Sequence, residues 1–267
     1  MRNTLKHVTP PALWRFSSSA WYALKRASLW PSAQFHPQRI DSIRQLADFK
    51  NKHTSQRCFI IGNGPSLRRT DLTRLRAEST FGLNRIYLLF PELGFTTSYY
   101  LSVNDLVIEQ CAEDIRELDM PKFISWRAHK LIQPTHNMIF LHTTYTGVRF
   151  ARDARGRLWE GATVTYAALQ LAYHMGFEQV ILIGVDHNFT TQGKPNSTVV
   201  SQGEDRDHFH PAYFGKGFRW QLPDLETSER AYIMACQAFQ QAGRQVLDAT
   251  IGGQLNVFPK VDYNSLF

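Results

Sequence analysis

Short apolar runs recur along the chain from Arg57 onward, and each ends in small or polar residues before a helical stretch begins. The runs are too short for buried helices and are rich in Ile, Val, Phe and Tyr, as buried strands are. The predicted strands are residues 58–61, 80–83, 98–103, 123–125, 138–141, 179–184 and 245–247. Strands that alternate with helices predict an α/β, Rossmann-like, three-layer fold with a mostly parallel sheet.

The first 50 residues follow a different pattern. Residues 13–30 are rich in Trp, Phe, Tyr and Leu, with Lys25 and Arg26 among them, which predicts a broadly amphipathic helix. Pro31 and Pro37 then predict a linker. The helix would suit an anionic membrane surface, where Trp and basic residues are favoured, or it would pack on the domain or on a second subunit of a homo-oligomer.

A second irregular segment lies near the other end of the chain, where periodicity is lost over residues 188–225. A segment of this length without clear elements is typical of a lid or another functional loop. We therefore expect residues 1–50 to form a basic, aromatic N-terminal helical arm and linker. Residues 51–267 would form a single Rossmann-like domain with a long lid loop at about 188–225.

Composition narrows the class of protein. The chain has 267 residues, of which 43% are hydrophobic and 20% are charged, and this excludes disordered, collagen-like and coiled-coil proteins. No apolar run reaches the ~18–20 residues that a membrane span needs. Trp14, Arg15 and three nearby serines interrupt any signal-peptide core. Three scattered cysteines fit a reducing compartment, so we expect a cytoplasmic protein, peripheral at the inner membrane face if the arm binds lipid.

The net charge of +7 lies mostly in the arm. Residues 1–50 contain eight Lys or Arg and two acidic residues, a net charge of +6, which leaves +1 for residues 51–267. A nucleic-acid groove on the domain would itself be basic. We therefore do not expect a nucleic-acid partner.

The first predicted strand is followed by Gly62, Asn63, Gly64, Pro65 and Ser66. Two glycines allow a tight turn with close backbone approach, Pro65 fits the first turn of a helix, and Ser66 can satisfy its free N–H groups. A helix N-terminus opened by such a turn suits a phosphate. The dinucleotide pattern G-x-G-x-x-G and the P-loop pattern are both absent, and a plain strand–turn–helix is the alternative.

Polar residues follow the next predicted strands in succession. In a parallel sheet the carboxyl ends of the strands meet at one edge, where ligands bind. We therefore expect a polar ligand cleft at this edge. The strand-end residues are Asn84 and Arg85, then Asn104 and Asp105, then Ser125, Trp126 and Arg127, then His142 and Thr143.

Thr163 and Thr165 mark a second helix start, after Glu160 and Gly161. Their hydroxyls and the free N–H groups of the first turn can meet a phosphate or a carboxylate, whereas a helix cap alone needs only one hydroxyl. Asp186 ends the strand that follows this helix. It could orient a ribose hydroxyl, hold a divalent cation, or simply cap the following turn.

The lid carries residues that can move protons and neutralise charge: His208, His210, Tyr213, Lys216 and Arg219. Cations and a tyrosine can stabilise a leaving phosphate, and a histidine can take a proton from an acceptor hydroxyl. The two histidines do not predict zinc, because no further ligand has suitable spacing. A purely structural loop is the alternative.

Three segments together resemble a known family: FIIGNGPSL, FGLNRIY and EGATVTYAALQLAYHMGFEQVILIGVDHNF. They resemble the MptE-like family, named for archaeal 6-hydroxymethylpterin diphosphokinase, over most of residues 57–250. The same framework is similar to bacterial sialyltransferases, which build surface glycans from a CMP-activated sugar acid. These also have a GNGPSL turn, a strand-end Asn, a Thr-containing helix start and a lid with a catalytic His.

The sialyltransferase resemblance implies roles for individual residues. His208 would be the general base, although His210 competes for that role and the lid departs from the sialyltransferase lid in sequence. Tyr213 and a lid cation, Lys216 or Arg219, would assist the leaving phosphate. The residues expected at the nucleotide and donor are Gly62, Asn63, Gly64, Ser66, Asn84, Asn104, Thr163, Thr165 and Asp186.

Two transferase interpretations follow. In the first, a sugar acid passes from a CMP-activated donor to a hydroxyl of a glycan or small-molecule acceptor, and no metal is obligatory because the lid supplies positive charge. In the second, diphosphate passes from ATP to a hydroxymethylpterin with Mg²⁺, for which Asp105, Asp186 and the acidic residues of the segment 204–207 are candidates. The arm and the lid histidines favour sugar transfer. A nucleotide-binding protein without turnover is a third interpretation.

Overall fold

Eight parallel strands form the central sheet of the computed structural model, which describes residues 30–267. The predicted α/β fold with a mostly parallel sheet is confirmed. An antiparallel pair of strands, Thr198–Val200 and Arg219–Gln221, lies within the predicted lid. The strands are β1 Arg57–Ile61, β2 Ser79–Leu83, β3 Tyr99–Ser102, β4 Lys122–Ser125, β5 Met138–Thr144, β6 Arg157–Trp159, β7 Gln179–Ile183, β8 Thr198–Val200, β9 Arg219–Gln221 and β10 Gln245–Asp248.

Helices cover both faces of the sheet. Shorter 3₁₀ turns follow several strands, among them Pro65–Arg69 after β1 and Trp126–Ala128 after β4, and residues 30–35 are helical as well. The α-helices are α1 Pro37–Phe49, α2 Phe90–Leu93, α3 Asp105–Gln110, α4 Ala112–Glu117, α5 Val164–Met175 and α6 Leu225–Gln241.

The strand order is β10-β7-β1-β2-β3-β4-β5-β6. The chain therefore runs in one direction from β1 to β6 and then crosses back to place β7 on the other side of β1. Such a reversal opens a crevice at the carboxyl ends of the two strands that flank it, and ligands bind there in open α/β sheets. The crevice between β1 and β7 lies where the Gly-Asn-Gly turn (residues 62–64) meets Asp186.

Alternate residues of each strand enter two separate cores, one on each face of the sheet. In β1, Cys58 and Ile60 join the core that contains α5, whereas Phe59 and Ile61 join the core on the opposite face. The hydrophobic runs that predicted the strands are explained by this burial on both faces.

The predicted linker contains a helix. Pro37 lies in the first turn of α1, where a missing N–H costs no hydrogen bond and the fixed φ of proline is already helical. Leu46 of α1 is fully buried, and Ser42 Oγ accepts a hydrogen bond from the backbone N–H of Phe140 in β5 at 2.9 Å. This helix packs on the sheet although it precedes residue 51, where the domain was predicted to begin.

The predicted arm helix lies outside the described residues, except for Trp30. Trp30 and Phe35 are exposed and meet edge to face, with ring centroids 6.0 Å apart. Within residues 30–267, no helix combines the length and the apolar character needed to cross a membrane.

The predicted lid is anchored on the carboxyl edge of the sheet. Arg68 Nε donates to the carbonyl oxygen of Phe209 at 2.6 Å, and the Phe209 N–H donates to the carbonyl oxygen of Asn63 at 2.9 Å. Tyr213 is 1% exposed and belongs to one of the two cores. The segment that carries the lid histidines is therefore held directly against the Gly-Asn-Gly turn.

Candidate functional site

A cavity of about 1200 Å³ opens at the carboxyl edge of the sheet, between the strand ends, the start of α5 and the lid. The Gly-Asn-Gly turn, Asn84 and Thr163 line this common space, as the sequence predicted. The predicted site residues in its wall are Gly62, Asn63, Gly64, Asn84, Asn104, Asp105, Thr163, Thr165, Asp186, His208 and Tyr213.

The Gly-Asn-Gly turn passes very close to the chain that leaves β7. The Gly64 N–H donates to the carbonyl oxygen of Gly184 at 2.9 Å, and a Cβ atom on Gly62 would overlap that same oxygen. Only glycine permits this approach. Asn63, between the two glycines, has a buried Oδ1 without a hydrogen-bond partner among residues 30–267. A bound molecule with a hydrogen-bond donor would satisfy it.

We predict that Gly62→Ala destabilises the fold by about 1–3 kcal/mol, because the new methyl group collides with backbone that cannot move cheaply. The free energy of unfolding in urea measures the effect. Gly203→Ala is the matched control, since a Cβ atom there meets nothing within 4 Å. Equal stability of the two variants would contradict the tight approach of β1 and β7.

Ser66 acts on the site through Asp186. Its N–H and its hydroxyl donate to the two carboxylate oxygens of Asp186 at 3.1 and 2.6 Å, and Ser66 itself is buried and does not line the cavity. Burial raises the pKa of Asp186, and the hydrogen bonds from Ser66 oppose that rise. The expected phosphate-binding helix start is not formed here, because residues Pro65–Arg69 make only a 3₁₀ turn whose first free N–H is already used.

The start of α5 is better suited to an anion than the 3₁₀ turn after β1. Thr163 is the N-cap, and its Oγ1 accepts a hydrogen bond from the Thr165 N–H at 3.3 Å and lies 3.4 Å from Tyr232 Oη. Both threonines line the cavity. The twelve-residue α5 therefore directs the positive end of its dipole toward this space, as anion sites at helix N-termini do.

Two asparagines at strand ends are held through their carbonyl oxygens. Asn84 adopts a left-handed conformation with φ +49°, and its Oδ1 accepts from Ser102 Oγ at 3.0 Å. Asn104 Oδ1 caps α3 by accepting from the Leu106 N–H at 2.9 Å. These contacts leave both amide nitrogens without a protein partner in the part of the chain that the structure describes, and both residues line the cavity.

His208 is the lid histidine that reaches the cavity. Its Nδ1 lies 2.8 Å from Asp205 Oδ2, and its ring stacks on Tyr213 with centroids 4.0 Å apart. A carboxylate beside Nδ1 favours the proton on that nitrogen, which leaves Nε2 free to accept a proton. His210 does not line the cavity, and its Nδ1 accepts from the Ala212 N–H. The sequence offered Asp205 only as one of several acidic residues that could hold Mg²⁺, and not as the partner of His208, because an acidic residue three positions from a histidine in a loop is no signal.

The predicted lid cations lie elsewhere. Neither Lys216 nor Arg219 lines the cavity, and Arg219 pairs with Glu109 at 2.9 Å on the surface. The arginines of the cavity wall are Arg127, Arg157 and Arg230. Of these three, the sequence predicted only Arg127, as a strand-end residue of the polar cleft, and it gave no role to Arg157 or Arg230.

Arg127 forms the central ion pair of the cavity wall. It binds Asp105 at 3.0 Å and Glu160 on its other side, and it also donates to Thr143 Oγ1 at 2.9 Å. Burial alone would lower the pKa of Arg127, but the charges of Glu160 and Asp105 raise it well above its ordinary value. Arg127 thus ties the ends of β4 and β5 to the segment that leads into α5.

The predicted magnesium ligands are engaged by other groups. Asp105 pairs with Arg127, and both oxygens of Asp186 accept hydrogen bonds from Ser66. Across residues 30–267, no group of three or more His, Cys, Asp or Glu is placed to hold a metal ion. The two carboxylates therefore do not fit a prearranged magnesium site.

Comparison with known proteins identifies the family. The family model described as 6-hydroxymethylpterin diphosphokinase MptE-like matches residues 36–192. A search of curated proteins finds no match. The chain has 14% identity and a TM-score of 0.45 to the MAf glycosyltransferase from Magnetospirillum magneticum AMB-1, with 85% of this chain and 39% of that chain covered.

A second similar structure is a mammalian sialyltransferase in complex with Gal-beta-1-3GalNAc-ortho-nitrophenol. It has 12% identity and a TM-score of 0.39, with 87% of this chain and 86% of that chain covered. Both structures are distant from this chain. The family match spans more than half of the chain and confirms the resemblance seen in the sequence motifs. The chain belongs to the MptE-like family.

Proposed function

We propose that this MptE-like protein is a glycosyltransferase that moves a sugar acid from a CMP-activated donor to a hydroxyl group of a glycan acceptor. The family is named for diphosphate transfer, so membership supports a transferase of some kind. The finer proposal is carried by one observation. His208, oriented by Asp205, lines the same cavity as the Gly-Asn-Gly turn and the start of α5.

The nucleotide would bind at the switch point between β1 and β7. The start of α5 would receive the donor phosphate, because free N–H groups and the helix dipole favour an anion there. The unpaired Oδ1 of Asn63 and the amide nitrogens of Asn84 and Asn104 would bind the polar edges of the base and the ribose. Asp186, held by Ser66, closes this end of the cavity.

His208 would act as the general base. Its Nε2 accepts the proton of the acceptor hydroxyl while the acceptor oxygen bonds to the anomeric carbon of the donor. The bond from that carbon to the phosphate oxygen breaks, and CMP leaves with the bonding electrons. The carboxylate of Asp205 stabilises the imidazolium that forms, as a buried acid beside a catalytic histidine does.

Tyr213 would assist the leaving phosphate. Burial raises the pKa of its hydroxyl, which therefore stays protonated. Its oxygen accepts from the Arg85 N–H at 3.5 Å, so the hydroxyl proton remains free to be donated. Lys216 and Arg219 lie outside the cavity wall, so the positive end of α5 would stabilise the leaving phosphate in their place.

The family description favours a second candidate, transfer of diphosphate from ATP to a hydroxymethylpterin. That reaction uses Mg²⁺ to bridge the phosphates and neutralise their charge. Asp105 and Asp186, the carboxylates that would hold the ion, are bound to Arg127 and Ser66. Sugar transfer is therefore the function that this geometry favours.

Thermal unfolding with added nucleotides separates the two candidates. We predict that CMP raises the midpoint more than ATP with Mg²⁺, because a ligand at about 100 times its Kd stabilises the folded state by about 2.7 kcal/mol. Asn63→Ala should lose most of the shift, and Asn264→Ala, at the far C-terminus, should keep it. A shift with ATP and Mg²⁺ alone would support the diphosphokinase. No shift with any nucleotide would contradict both.

A further inference from the structure

We propose that the β5–β6 end of the cavity is a subsite for an anionic group of the acceptor, a carboxylate or a phosphate, bound by Arg157. The inference rests on the proposed function insofar as it assigns the group to an acceptor. The anion site itself depends only on the residues around Arg157.

Arg157 begins β6 and is placed by the sheet register. It pairs with His142 of β5 in the parallel ladder, and both residues line the cavity. Residues in register on neighbouring strands project to the same face of a sheet. Arg157 and His142 therefore share one wall at the outermost end of the cavity.

The guanidinium of Arg157 has no hydrogen bond or ion pair with any residue from 30 to 267. By contrast, each carboxylate in the cavity wall is already bound by another group. Arg127 holds two of them, and the rest accept hydrogen bonds from hydroxyl, amide or backbone N–H donors. These carboxylates are Asp105, Glu160, Asp186, Asp207 and Asp224.

A guanidinium offers five N–H donors in a planar fork that matches the oxygens of a carboxylate or a phosphate. Because no acidic residue of the wall is left to pair with Arg157, an incoming anion is the natural partner. The unpaired charge would make this end of the cavity selective for acidic over neutral groups.

A second arginine reinforces the positive charge. Arg39 is fully buried, and its Nε and Nη1 have no hydrogen-bond partner, while Nη2 donates to the carbonyl oxygen of Arg155 at 2.7 Å. Burial lowers the pKa of Arg39 to about 10, so the group remains charged at neutral pH. Burial, together with the charges of Arg157, Arg39 and Arg127, lowers the pKa of His142 to about 4, so this ring is neutral.

The subsite is separate from the nucleotide end. Four strand spacings of ~4.8 Å place β5 about 19 Å from β1 along the edge of the sheet. A nucleotide base at the Gly-Asn-Gly turn, which follows β1, therefore would not contact Arg157. The cavity of about 1200 Å³ is larger than the ~300–1,000 Å³ of an ordinary ligand pocket, which leaves room for a donor and an acceptor side by side.

Titration calorimetry of the full chain tests the proposal with two matched pairs of probes. The first pair is 3′-sialyllactose and lactose, which differ by a carboxylate-bearing sugar, and the second is geranyl phosphate and geraniol. We expect the wild-type protein to bind the anionic member of at least one pair more tightly. Arg157→Gln should weaken that binding by about 10-fold to 100-fold, because a hydrogen-bonded charge is lost.

Two further variants show whether the loss of affinity comes from the charge and position of Arg157. Arg157→Lys retains the charge and should lose less affinity than Arg157→Gln. Arg152→Gln is the control, because Arg152 is exposed, donates to Gln241 and does not line the cavity.

The probe pairs identify the kind of anion. A preference for sialyllactose over lactose identifies an acidic sugar, and a preference for geranyl phosphate over geraniol identifies a phosphate. A preference in both pairs identifies a general anion site.

Titrations with and without CMP separate this proposal from the proposed function. The protein could bind anions through Arg157 and yet fail to bind CMP. That result would support the subsite and contradict the CMP-activated donor of the proposed function. The proposal is overturned if the wild-type protein binds the neutral member as tightly in both pairs. It is also overturned if Arg157→Gln binds the anionic probes as tightly as the wild-type protein does, or if Arg152→Gln loses as much affinity as Arg157→Gln does.

Discussion

Replacing His208 by alanine is expected to slow sugar transfer by about 10²–10⁴-fold while nucleotide binding is retained. His208 Nε2 is the group that would take the acceptor proton, and no other histidine from the lid lines the cavity. The rate is measured as CMP released from a CMP-activated sugar acid in the presence of acceptor. Nucleotide binding is measured separately by titration.

His210→Ala is the matched control for this prediction. His210 lies two residues away on the same lid segment, but it is outside the cavity wall and its Nδ1 accepts from the Ala212 N–H. We expect the His210 variant to turn over close to the wild-type rate. A large loss in the His210 variant with little loss in the His208 variant would show that the base has been misassigned.

Replacing Arg127 by methionine is expected to lower the free energy of unfolding by about 3–5 kcal/mol, because Glu160 would keep a buried negative charge without a counter-charge. The side chains of Arg127 and Glu160 are only 12% and 11% exposed. Thr143 would also lose a donor, since Arg127 Nη1 binds its hydroxyl. Urea unfolding measures the change.

Two comparisons show whether the buried charge is the cause. The double variant with Arg127→Met and Glu160→Gln should recover much of the lost stability, because the one carboxylate still without its arginine, Asp105, has a side chain that is 45% exposed to water. Arg219→Met breaks a pair with Glu109 whose side chains are 46% and 44% exposed, and it should cost at most about 1 kcal/mol. Equal losses in the Arg127 and Arg219 variants would contradict the role of burial.

The sheet could be predicted from the sequence because most of its strands are buried on both faces. Runs such as residues 58–61 and 180–183 are continuously apolar, and each lies within a strand whose bounds are within two residues of the prediction. β6 was missed because it has only three residues and its first, Arg157, faces the cavity rather than a core. A strand of that kind leaves no hydrophobic pattern to detect.

Helix α1 was missed for a different reason. Pro37 was taken as a mark of a linker, yet proline is also favoured in the first turn of a helix, where its missing N–H has no cost. The apolar content of α1 is low, and only Leu46 is a buried hydrophobic residue on it. Its position depends on contacts with β5 that no local pattern reveals.

The nucleotide end of the cavity followed from strand order, because polar residues after parallel strands must meet at one edge of the sheet. Asn63 and Asn84 were found in this way, and Thr163 was found from its position at a helix start. The path of the lid does not follow from such a rule. Lys216 and Arg219 point elsewhere, and the cations that line the cavity come from other strand ends and from α6.

A crystal structure of the protein with CMP tests the central claim most directly. We expect the nucleotide between the Gly-Asn-Gly turn and the start of α5, with its phosphate on the side of Thr163 and with His208 facing the open part of the cavity. CMP bound instead in the polar groove at the amino ends of β1, β7 and β10, which Arg57, Gln179 and Gln245 line, would contradict it.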